Sequence, residues 1–304
     1  MFHYTIIQWL FFFYFYCFLG WVFESVYVSL KNRKFVNRGF MRGPFLPIYG
    51  SGGIMMLVVS MPFRENLVLT YIAGCIGATV LEFVTGTIME ALFKVRYWDY
   101  SKQKFNYKGH ICLSSTLAWG FLTIFMTVFL HKGVEKVILS IPEQVVTLLT
   151  MILTFYITVD FALSFKAAMD LREILIGLEK AKEEMERIQK RLDVLIAVAE
   201  DEIETRKQER NLRTEELMAN LEVRFDRIRE KMMVSPSSIL DEVKEELSEL
   251  RNRYLVEREH RRQFHKIRDF YQRHLIKGNP SMYSAHFNEA LEELKKAVEE
   301  YKKK

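Results

Sequence analysis

Four acidic residues lie inside long apolar stretches of the sequence, where carboxylates are rare. They are Glu24, Glu82, Glu90 and Asp160. On insertion scales an ionised carboxylate at the centre of a bilayer costs roughly 2.5–3.5 kcal/mol, so such residues pair with a cation or serve a function. The sequence therefore predicts one of two arrangements. Either the acids form a polar site for a cation, a proton or a basic or polar solute, or they pair with arginines and hold helices together.

Glu82 is the deepest of these four acids. At 1.5 Å per helical residue, it lies about 16 Å from the C-terminal end of its apolar stretch, whereas Glu90 lies only about 5 Å from that end. For Glu90 and Asp160, an ion pair with an arginine such as Arg38 or Arg96 is the simpler hypothesis. For Glu82 the sequence offers no obvious local partner, so a functional role is favoured there.

The elements that would position these acids are five apolar segments, each close to the roughly 20 residues that a membrane-spanning helix needs. They cover residues 6–30, 44–61, 67–93, 111–130 and 145–165. Open strands would leave backbone groups without partners in lipid, so these segments must be helices. We predict an all-α fold. A polytopic membrane helix bundle occupies residues 1–165, and a cytoplasmic helical, coiled-coil domain occupies residues 166–304.

The second segment is the least regular of the five. Its first ten residues include Gly43, Pro44, Pro47, Gly50 and Gly52. This composition predicts a kinked, broken or re-entrant helix, which survives at membrane depth only when it is buried in protein or lines a wet cavity. The segment would therefore line a pore or pocket, or it would simply permit close helix packing, and the sequence leaves both open.

Lysine and arginine are distributed unevenly among the connections. The first and third loops carry five each, the second carries one, the fourth carries two, and the residues before the first span carry none. Positively charged loops stay on the cytoplasmic side. We therefore expect a multi-pass protein of the cell membrane with its N-terminus outside and its C-terminus in the cytoplasm.

The excess positive charge belongs entirely to the apolar half. Residues 1–165 hold 13 Lys+Arg and 8 Asp+Glu, whereas residues 166–304 hold 30 of each. A basic surplus beside apolar helices indicates contact with an anionic lipid surface. We expect the lipid bilayer as a partner and do not expect nucleic acid.

Three groups of residues, in this order and spacing, resemble a known family. They are Gly20-Trp21 with Glu24; Phe35–Phe40 followed by Gly43-Pro44 and Pro47–Gly50; and Glu82, Gly86 and Glu90 followed by Trp98–Ser101, Phe105-Asn106, Gly109, Cys112 and Trp119-Gly120. Over about residues 9–130 the chain resembles the CmpB-type family, labelled "putative ABC-transporter type IV". The label implies a multi-pass, permease-like protein and names no substrate.

The resemblance implies candidate site residues by position. The candidate substrate-binding residues are Glu24, Asn37, Arg38, Tyr49, Glu82, Glu90, Asp99 and Asn106. Glu90 is included because it is one of the acids inside the apolar stretches. The candidate structural residues are Gly39, Gly43, Pro44, Pro47, Gly50, Trp98, Tyr100 and Gly109. Arginine can neutralise an acid through two parallel hydrogen bonds, and Asp or Asn can fix a loop through backbone hydrogen bonds.

Some of these residues are expected to meet at the inner side of the bundle. The expected cluster consists of Glu24, Asn37, Arg38, Glu90 and Asp99. It would be either a solute site or a structural clasp, and the sequence does not separate the two.

The second half has a heptad pattern. Its a positions are Leu171, Leu178, Met185, Leu192 and Ala199, and its d positions are Ile174, Ala181, Ile188 and Leu195. Further apolar seams cover residues 218–232, 240–254 and 284–301, with breaks at Ser235-Pro236 and Gly278-Asn279-Pro280. The pattern predicts a coiled coil within a helical hairpin or small bundle, with a seam for homo-oligomers.

Motifs for catalysis are not evident. The second half contains only Gly177 and Gly278, so it has no Gly-rich phosphate cradle, and the chain shows no metal or nucleophile motif. His110 and His131, at the two ends of the fourth segment, are expected to be ordinary interfacial histidines. We expect no cofactor and no enzymatic activity, and any ATPase partner would be a separate chain.

The leading hypothesis is a permease-like transport or solute-binding subunit with an inward-facing polar site. The alternative is a membrane-anchored scaffold or sensor that acts through its cytoplasmic coiled coil. A third hypothesis, a membrane enzyme that acts on lipid with the inner carboxylates as acid and base, also stays open.

Overall fold

A computed structural model describes residues 4–199, 221–226, 238–264 and 269–300, and these residues are almost entirely helical. The predicted all-α fold is confirmed. The chain forms two compact units. Unit 1 comprises Met1–Arg172 and Arg268–Lys304, and unit 2 comprises Glu173–Ile267. The sequence analysis placed one boundary near residue 165, whereas the structure groups the C-terminal residues with the first 172.

Unit 1 contains the apolar helices. They are α1 (Ile6–Asn32), α2 (Pro47–Ser60), α3 (Leu67–Phe93), α4 (Leu113–Phe125), α5 (His131–Leu139) and the first part of α6 (Glu143–Ala199). A π-helical segment, Met126–Leu130, joins α4 to α5. Within the described residues, four stretches are long and apolar enough to cross a membrane: α1, α3, the continuous Leu113–Leu139 and Glu143–Val194.

The second predicted span is shorter than the others. With the 3₁₀ turn Met61–Phe63 that follows it, α2 covers only Pro47–Phe63. Its 14 α-helical residues reach about 21 Å, less than a hydrocarbon core of about 30 Å. The residues before Pro47 are not helical, and the backbone N–H of Leu46 donates to the carbonyl of Cys17 in α1. Five spans therefore remain a prediction, while four long helices are observed.

Both long connections lie at the same end of unit 1, because α1 and α3 end there and α2 and α4 begin there. We call the loops 33–46 and 94–112 the basic end. Helix α1 stops at Arg33 and α3 at Lys94, each in the left-handed conformation with φ of 50° and 60°. The third loop also contains a small antiparallel hairpin, β1 (Asn106–Tyr107) and β2 (Ile111–Cys112).

The opposite end of unit 1 is called here the distal end, which consists of residues 4–5, the turn 61–66 and α5. Helix α1 begins there with a capping box. The Thr5 hydroxyl accepts from the backbone N–H of Gln8, and the Gln8 side chain accepts from the backbone N–H of Thr5. Helix α3 begins with Asn66, whose side chain accepts from two backbone N–H groups. Polar caps therefore end the apolar helices on this side.

Residues 269–300, called here the C-terminal segment, belong to unit 1. They form α8 (Phe270–Gly278) and α9 (Asn288–Glu300), numbered after α7 (Ser238–Phe264) of unit 2. The strand-like residue Tyr283 pairs with Arg96, with N···O distances of 2.6 and 3.0 Å. The C-terminal segment therefore packs on the third loop, at the basic end.

Unit 2 has its own core, built from the second part of α6, residues 221–226 and α7 (Ser238–Phe264). The core consists of Met185, Ile188, Leu192, Leu221, Phe225, Leu247, Leu250 and Tyr254. Heptad positions 185, 188 and 192 are thus covered by the same chain, and a coiled coil or oligomer seam between chains stays a prediction.

Several predicted seam positions fall outside the part of the chain that is described. They are residues 218, 228, 232 and 301, and the side chains at 195, 199, 240 and 243. Near the start of the seam, Leu175 is fully buried whereas the predicted d position Ile174 is only half-buried. Further along, the predicted d positions Ala181 and Ile188 are buried, so the departure is confined to the start of the seam.

Candidate functional site

Glu82 lies in the middle of α3 and is 6% exposed. Its carboxylate accepts hydrogen bonds from the Tyr100 hydroxyl at 2.9 Å and from the Trp119 indole N–H at 3.0 Å. The Ser115 hydroxyl donates to it at 3.3 Å. The third loop and α4 therefore supply three neutral donors, and the described residues form no ion pair with Glu82.

Glu24 is paired with a cation at the basic end. The Arg38 Nε atom lies 3.7 Å from the Glu24 carboxylate, and the Tyr49 hydroxyl donates to the same carboxylate at 2.7 Å. Arg38 also donates to the Asn279 side chain at 2.7 Å and to the Gly278 carbonyl at 3.2 Å. One guanidinium thus joins α1 to the C-terminal segment.

Glu90 belongs to a second charged network. Arg96 donates to Glu90 at 2.7 Å and lies 3.5 Å from Asp99, while the His110 ring nitrogen lies 3.0 Å from the other Glu90 oxygen. Burial lowers the pKa of His110 from its ordinary value, although the Glu90 charge opposes this shift. At neutral pH the ring is therefore a neutral donor, and Arg96 supplies the charge that balances Glu90.

Asp160 is held by the backbone of the first loop. Its carboxylate accepts from the Gly43 N–H at 2.8 Å, and it is 6% exposed. A Cβ at Gly43 would lie 2.5 Å from the Tyr156 hydroxyl, so only glycine permits this approach. Among the residues that the structure describes, Asp160 forms no ion pair with a loop arginine, in contrast to the expectation.

The expected single cluster of Arg38, Asn37, Glu24, Glu90 and Asp99 is divided between two networks. The Asn37 side chain accepts from Trp21 at 2.6 Å and donates to the Arg42 carbonyl, so it fixes the first loop. Arg38 serves the Glu24 network. Glu90 and Asp99 share Arg96, because the left-handed turn after α3 brings the third loop back under the helix.

The remaining candidates mostly shape the third loop. Asn106 donates to the carbonyls of Ser101 and Gln103 and accepts from the Gly109 N–H, and Trp98 donates to the His110 carbonyl at 3.0 Å. Gly109 has φ of 73°, which favours glycine. These contacts hold Tyr100 against Glu82.

The glycines and prolines of the first loop and of α2 allow the helices to approach closely. Gly39 has φ of 135°. A Cβ at Gly50 would lie 2.3 Å from the Cys17 sulfur. Pro47 takes the first turn of α2, where its missing N–H costs nothing, and Pro44 lies in the non-helical residues before it.

Two sets of polar residues escaped the sequence analysis. At the basic end, His274 bonds the Met41 carbonyl and Asn279 donates to the Gly39 carbonyl. At the distal end, the buried His131 ring bonds Tyr4 and Tyr16. A signal for the second set was present, since polar residues recur every fourth position from Ser115 to Glu135.

The described acids and histidines of this region do not come together as a metal site. No group of three or more His, Cys, Asp or Glu side chains within the described ranges is placed to hold a metal ion. The acids instead divide into those balanced by arginine, one held by the backbone, and Glu82 with its neutral donors.

Comparison with known proteins identifies a family. No curated protein and no solved structure matches the chain. Residues 11–165 match the sequence model of the CmpB family, described as "Putative ABC-transporter type IV". This range contains the apolar helices and all of the acids described above, and on this match over half of its length the chain belongs to that family.

Proposed function

We propose that this chain is the membrane subunit of a transport system and that Glu82 is the centre of its substrate site. The observation that carries the proposal is a carboxylate buried in the middle of an apolar helix and contacted by neutral donors. Acids in membrane spans that have no structural cation partner mark ion and solute pathways.

The chemistry favours a cationic substrate. Three hydrogen bonds stabilise the carboxylate, but they do not cancel its charge, so a proton, a metal cation or a basic organic group would complete the site. The other acids are less suited to this role. Arg38 balances Glu24, Arg96 balances Glu90, and the Gly43 N–H occupies Asp160.

Access to Glu82 would come from the basic end. The Tyr100 hydroxyl belongs to the third loop and covers the carboxylate, and the loop is held by the hydrogen bonds of Asn106 and by Gly109. A shift of this loop would expose Glu82 and leave Ser115 and Trp119 of α4 in place. If the system uses ATP, the nucleotide site would be on another chain.

The test uses the full-length protein in liposomes on a solid-supported membrane. Rapid addition of Na⁺, K⁺, Mg²⁺ or spermidine at constant pH should give a charge displacement in the wild-type chain with at least one of these probes. Glu82→Gln should abolish it, because the amide keeps the size of the side chain and removes its charge.

The matched control is Glu65→Gln, the same change at an exposed acid in the turn before α3. This variant should behave as the wild type. The proposal is wrong if Glu82→Gln, folded and inserted, gives the same displacements as Glu65→Gln.

A second function, that of a membrane-anchored sensor, is supported by a different observation. Unit 2 is inserted between two parts of unit 1, so both of its ends continue into residues that belong to the membrane unit. The segment that follows it is bonded to Arg38. A partner bound to unit 2 would thus have a covalent route to the basic end.

The sensor hypothesis makes a distinct prediction in cells. Leu250→Asp, which places a charge in the core of unit 2, should abolish the phenotype of the gene while Glu82→Gln preserves it. The transport hypothesis predicts loss with Glu82→Gln, so the pair of variants separates the two functions.

A further inference from the structure

His131 is buried at the distal end, where α5 begins and the rings of Phe12 and Tyr16 in α1 pack against it. It is 1% exposed. Its Nδ1 atom lies 2.6 Å from the hydroxyl of Tyr16, and its Nε2 atom lies 3.1 Å from the hydroxyl of Tyr4. The Tyr4 hydroxyl in turn donates a very short hydrogen bond to Glu135. We call Tyr16, His131, Tyr4 and Glu135 the distal relay.

The hydrogens of the distal relay have a defined direction. Tyr4 has one hydroxyl hydrogen and gives it to Glu135, so its oxygen accepts from the Nε2–H of His131. In the neutral ring Nδ1 then has no hydrogen and accepts from Tyr16. Burial, and then the Glu135 charge, raise the pKa of the Tyr4 phenol, while Arg64 opposes the shift, so Tyr4 remains a donor.

This direction allows a proton to pass without any residue changing place. A proton that arrives at the Tyr16 oxygen lets Tyr16 give its own hydrogen to Nδ1, and the ring gives its Nε2 hydrogen to Tyr4. Tyr4 then gives its hydrogen to Glu135, and the half-buried Glu135 releases a proton to water at the distal end. One O–H or N–H bond forms for each that breaks, so one proton enters and one leaves.

A polar stripe leads from the distal relay toward Glu82. Every fourth residue of α4 and α5 is polar: Ser115, Trp119, Thr123, Thr127, His131 and Glu135. Thr123 is fully buried, and the Thr127 hydroxyl lies 3.3 Å from that of Ser60 in α2. The first two members of the stripe, Ser115 and Trp119, are the donors to Glu82.

The π-helical segment reduces the winding of this stripe around the helix. In an α-helix a step of four residues overshoots a full turn by about 40°, so a long four-residue repeat would wind around the helix. The wider turn at Met126–Leu130 takes more residues per turn and corrects the drift just before His131. Such segments are frequent at functional sites in helices.

We propose that the distal relay is a proton-transfer site, which supplies or removes the proton that replaces the substrate cation on Glu82. The inference rests on the proposed function, because it supplies the second end of a path that begins at Glu82. Between the relay and Glu82, the hydroxyls of Thr123 and Thr127 donate to backbone carbonyls one turn back, at 2.8 and 2.7 Å. Protons would pass along this face of α4 when these hydroxyls turn away from the carbonyls.

The test measures proton flux directly. The full-length chain is reconstituted in liposomes that contain the pH-sensitive dye pyranine, and valinomycin with a K⁺ gradient drives proton entry. The wild type should acidify the interior faster than protein-free liposomes do. Tyr16→Phe and Glu135→Gln should each lower the initial rate about a hundredfold or more, because a positioned proton-transfer group typically contributes about 10²–10⁴-fold.

The matched control is Tyr14→Phe. This change removes a hydroxyl from the same helix, two residues away, where it donates to Thr154 in α6 outside the relay. Its rate should equal that of the wild type. Glu135 is only half-buried, so Glu135→Gln still tests the relay if Tyr16→Phe does not fold.

Two outcomes would overturn the relay: equal rates in the wild type, Tyr16→Phe and Glu135→Gln, or a wild-type rate no higher than that of protein-free liposomes. Neither outcome affects the cation-displacement result with Glu82→Gln. Conversely, unchanged metal-cation or spermidine signals in Glu82→Gln remove the proposed function without altering the comparison of Tyr16→Phe with Tyr14→Phe.

Discussion

The two ends of the membrane unit bury their polar groups in different ways. The basic end places full charges against each other, with Arg38 on Glu24 and Arg96 on Glu90. The distal end uses an imidazole between two phenols, with one carboxylate at its edge. Paired charges resist separation, whereas a chain of neutral donors and acceptors can reverse its hydrogens at little cost. The first end is therefore suited to fix loops, and the second to pass protons.

The largest loss of stability should follow from removal of the Arg38 charge at the basic end. Arg38→Ala would leave Glu24 unbalanced and Asn279 without its donor, and it should lower the free energy of unfolding by about 3–5 kcal/mol. The midpoint of thermal unfolding in detergent measures this loss.

Lys34→Ala is the matched control for Arg38→Ala. Lys34 lies 4.0 Å from Glu299, and the two side chains are 61% and 73% exposed. This variant should change stability by less than about 0.5 kcal/mol, because exposed pairs contribute little. Equal losses in the two variants would mean that Arg38 is not the centre of the basic end.

A smaller loss of stability is expected at the contact between α1 and α2, the helices that run between the two ends. Gly50→Ala would place a methyl group 2.3 Å from the Cys17 sulfur and 2.7 Å from the Phe13 carbonyl, and should cost about 1–3 kcal/mol. Gly52→Ala, on the same helix with nothing within 4 Å, should be neutral or slightly stabilising. If both variants unfold at the same temperature, the two helices are not in the close contact described.

The distal end should tolerate a comparable deletion better than the basic end. Tyr16→Phe leaves His131 Nδ1 without its donor, which should cost about 1–2 kcal/mol. Chemical unfolding in mixed micelles would measure this loss beside that of Arg38→Ala. A larger loss for Tyr16→Phe would reverse the comparison between the ends.

The smallest effect concerns pH and belongs to the basic end. Burial lowers the pKa of His110 and of His274 below the ordinary value of 6.5. Their contribution to stability is therefore complete above about pH 6.5 and falls as the pH drops below it, by at most about 1.4 kcal/mol per histidine and pH unit. His274→Gln should flatten the decrease of the unfolding midpoint between pH 7 and 5.5, and an unchanged slope would exclude His274 as a source.

The membrane half was predictable where local chemistry decides it. Apolar length predicted the long helices, and the pairing of Glu24 and Glu90 with Arg38 and Arg96 follows from acids that lie near basic loops. The donors to Glu82 were not predictable, because Trp119 lies 37 residues away on another helix. Spacing along one helix does not report which face meets a neighbour.

Two other features show why long-range contacts escape a reading of local patterns. The sequence analysis predicted an apolar seam for the C-terminal segment but not its contacts, in which Asn279 and Tyr283 bond residues of the first and third loops. His131 was assigned to an interface from its position at the end of a span. Only its contacts with α1 and with Tyr4 reveal a buried ring.

The contact between Arg38 and Asn279 has a consequence for biosynthesis. These residues are 241 positions apart, and a ribosome that adds about 5–20 residues per second needs roughly 12–48 s between them. During this interval the first loop is already made while its later partner is still absent. A nascent chain that stalls before Asn279 leaves the Arg38 guanidinium without that acceptor. This contact of the first loop therefore forms only late in translation.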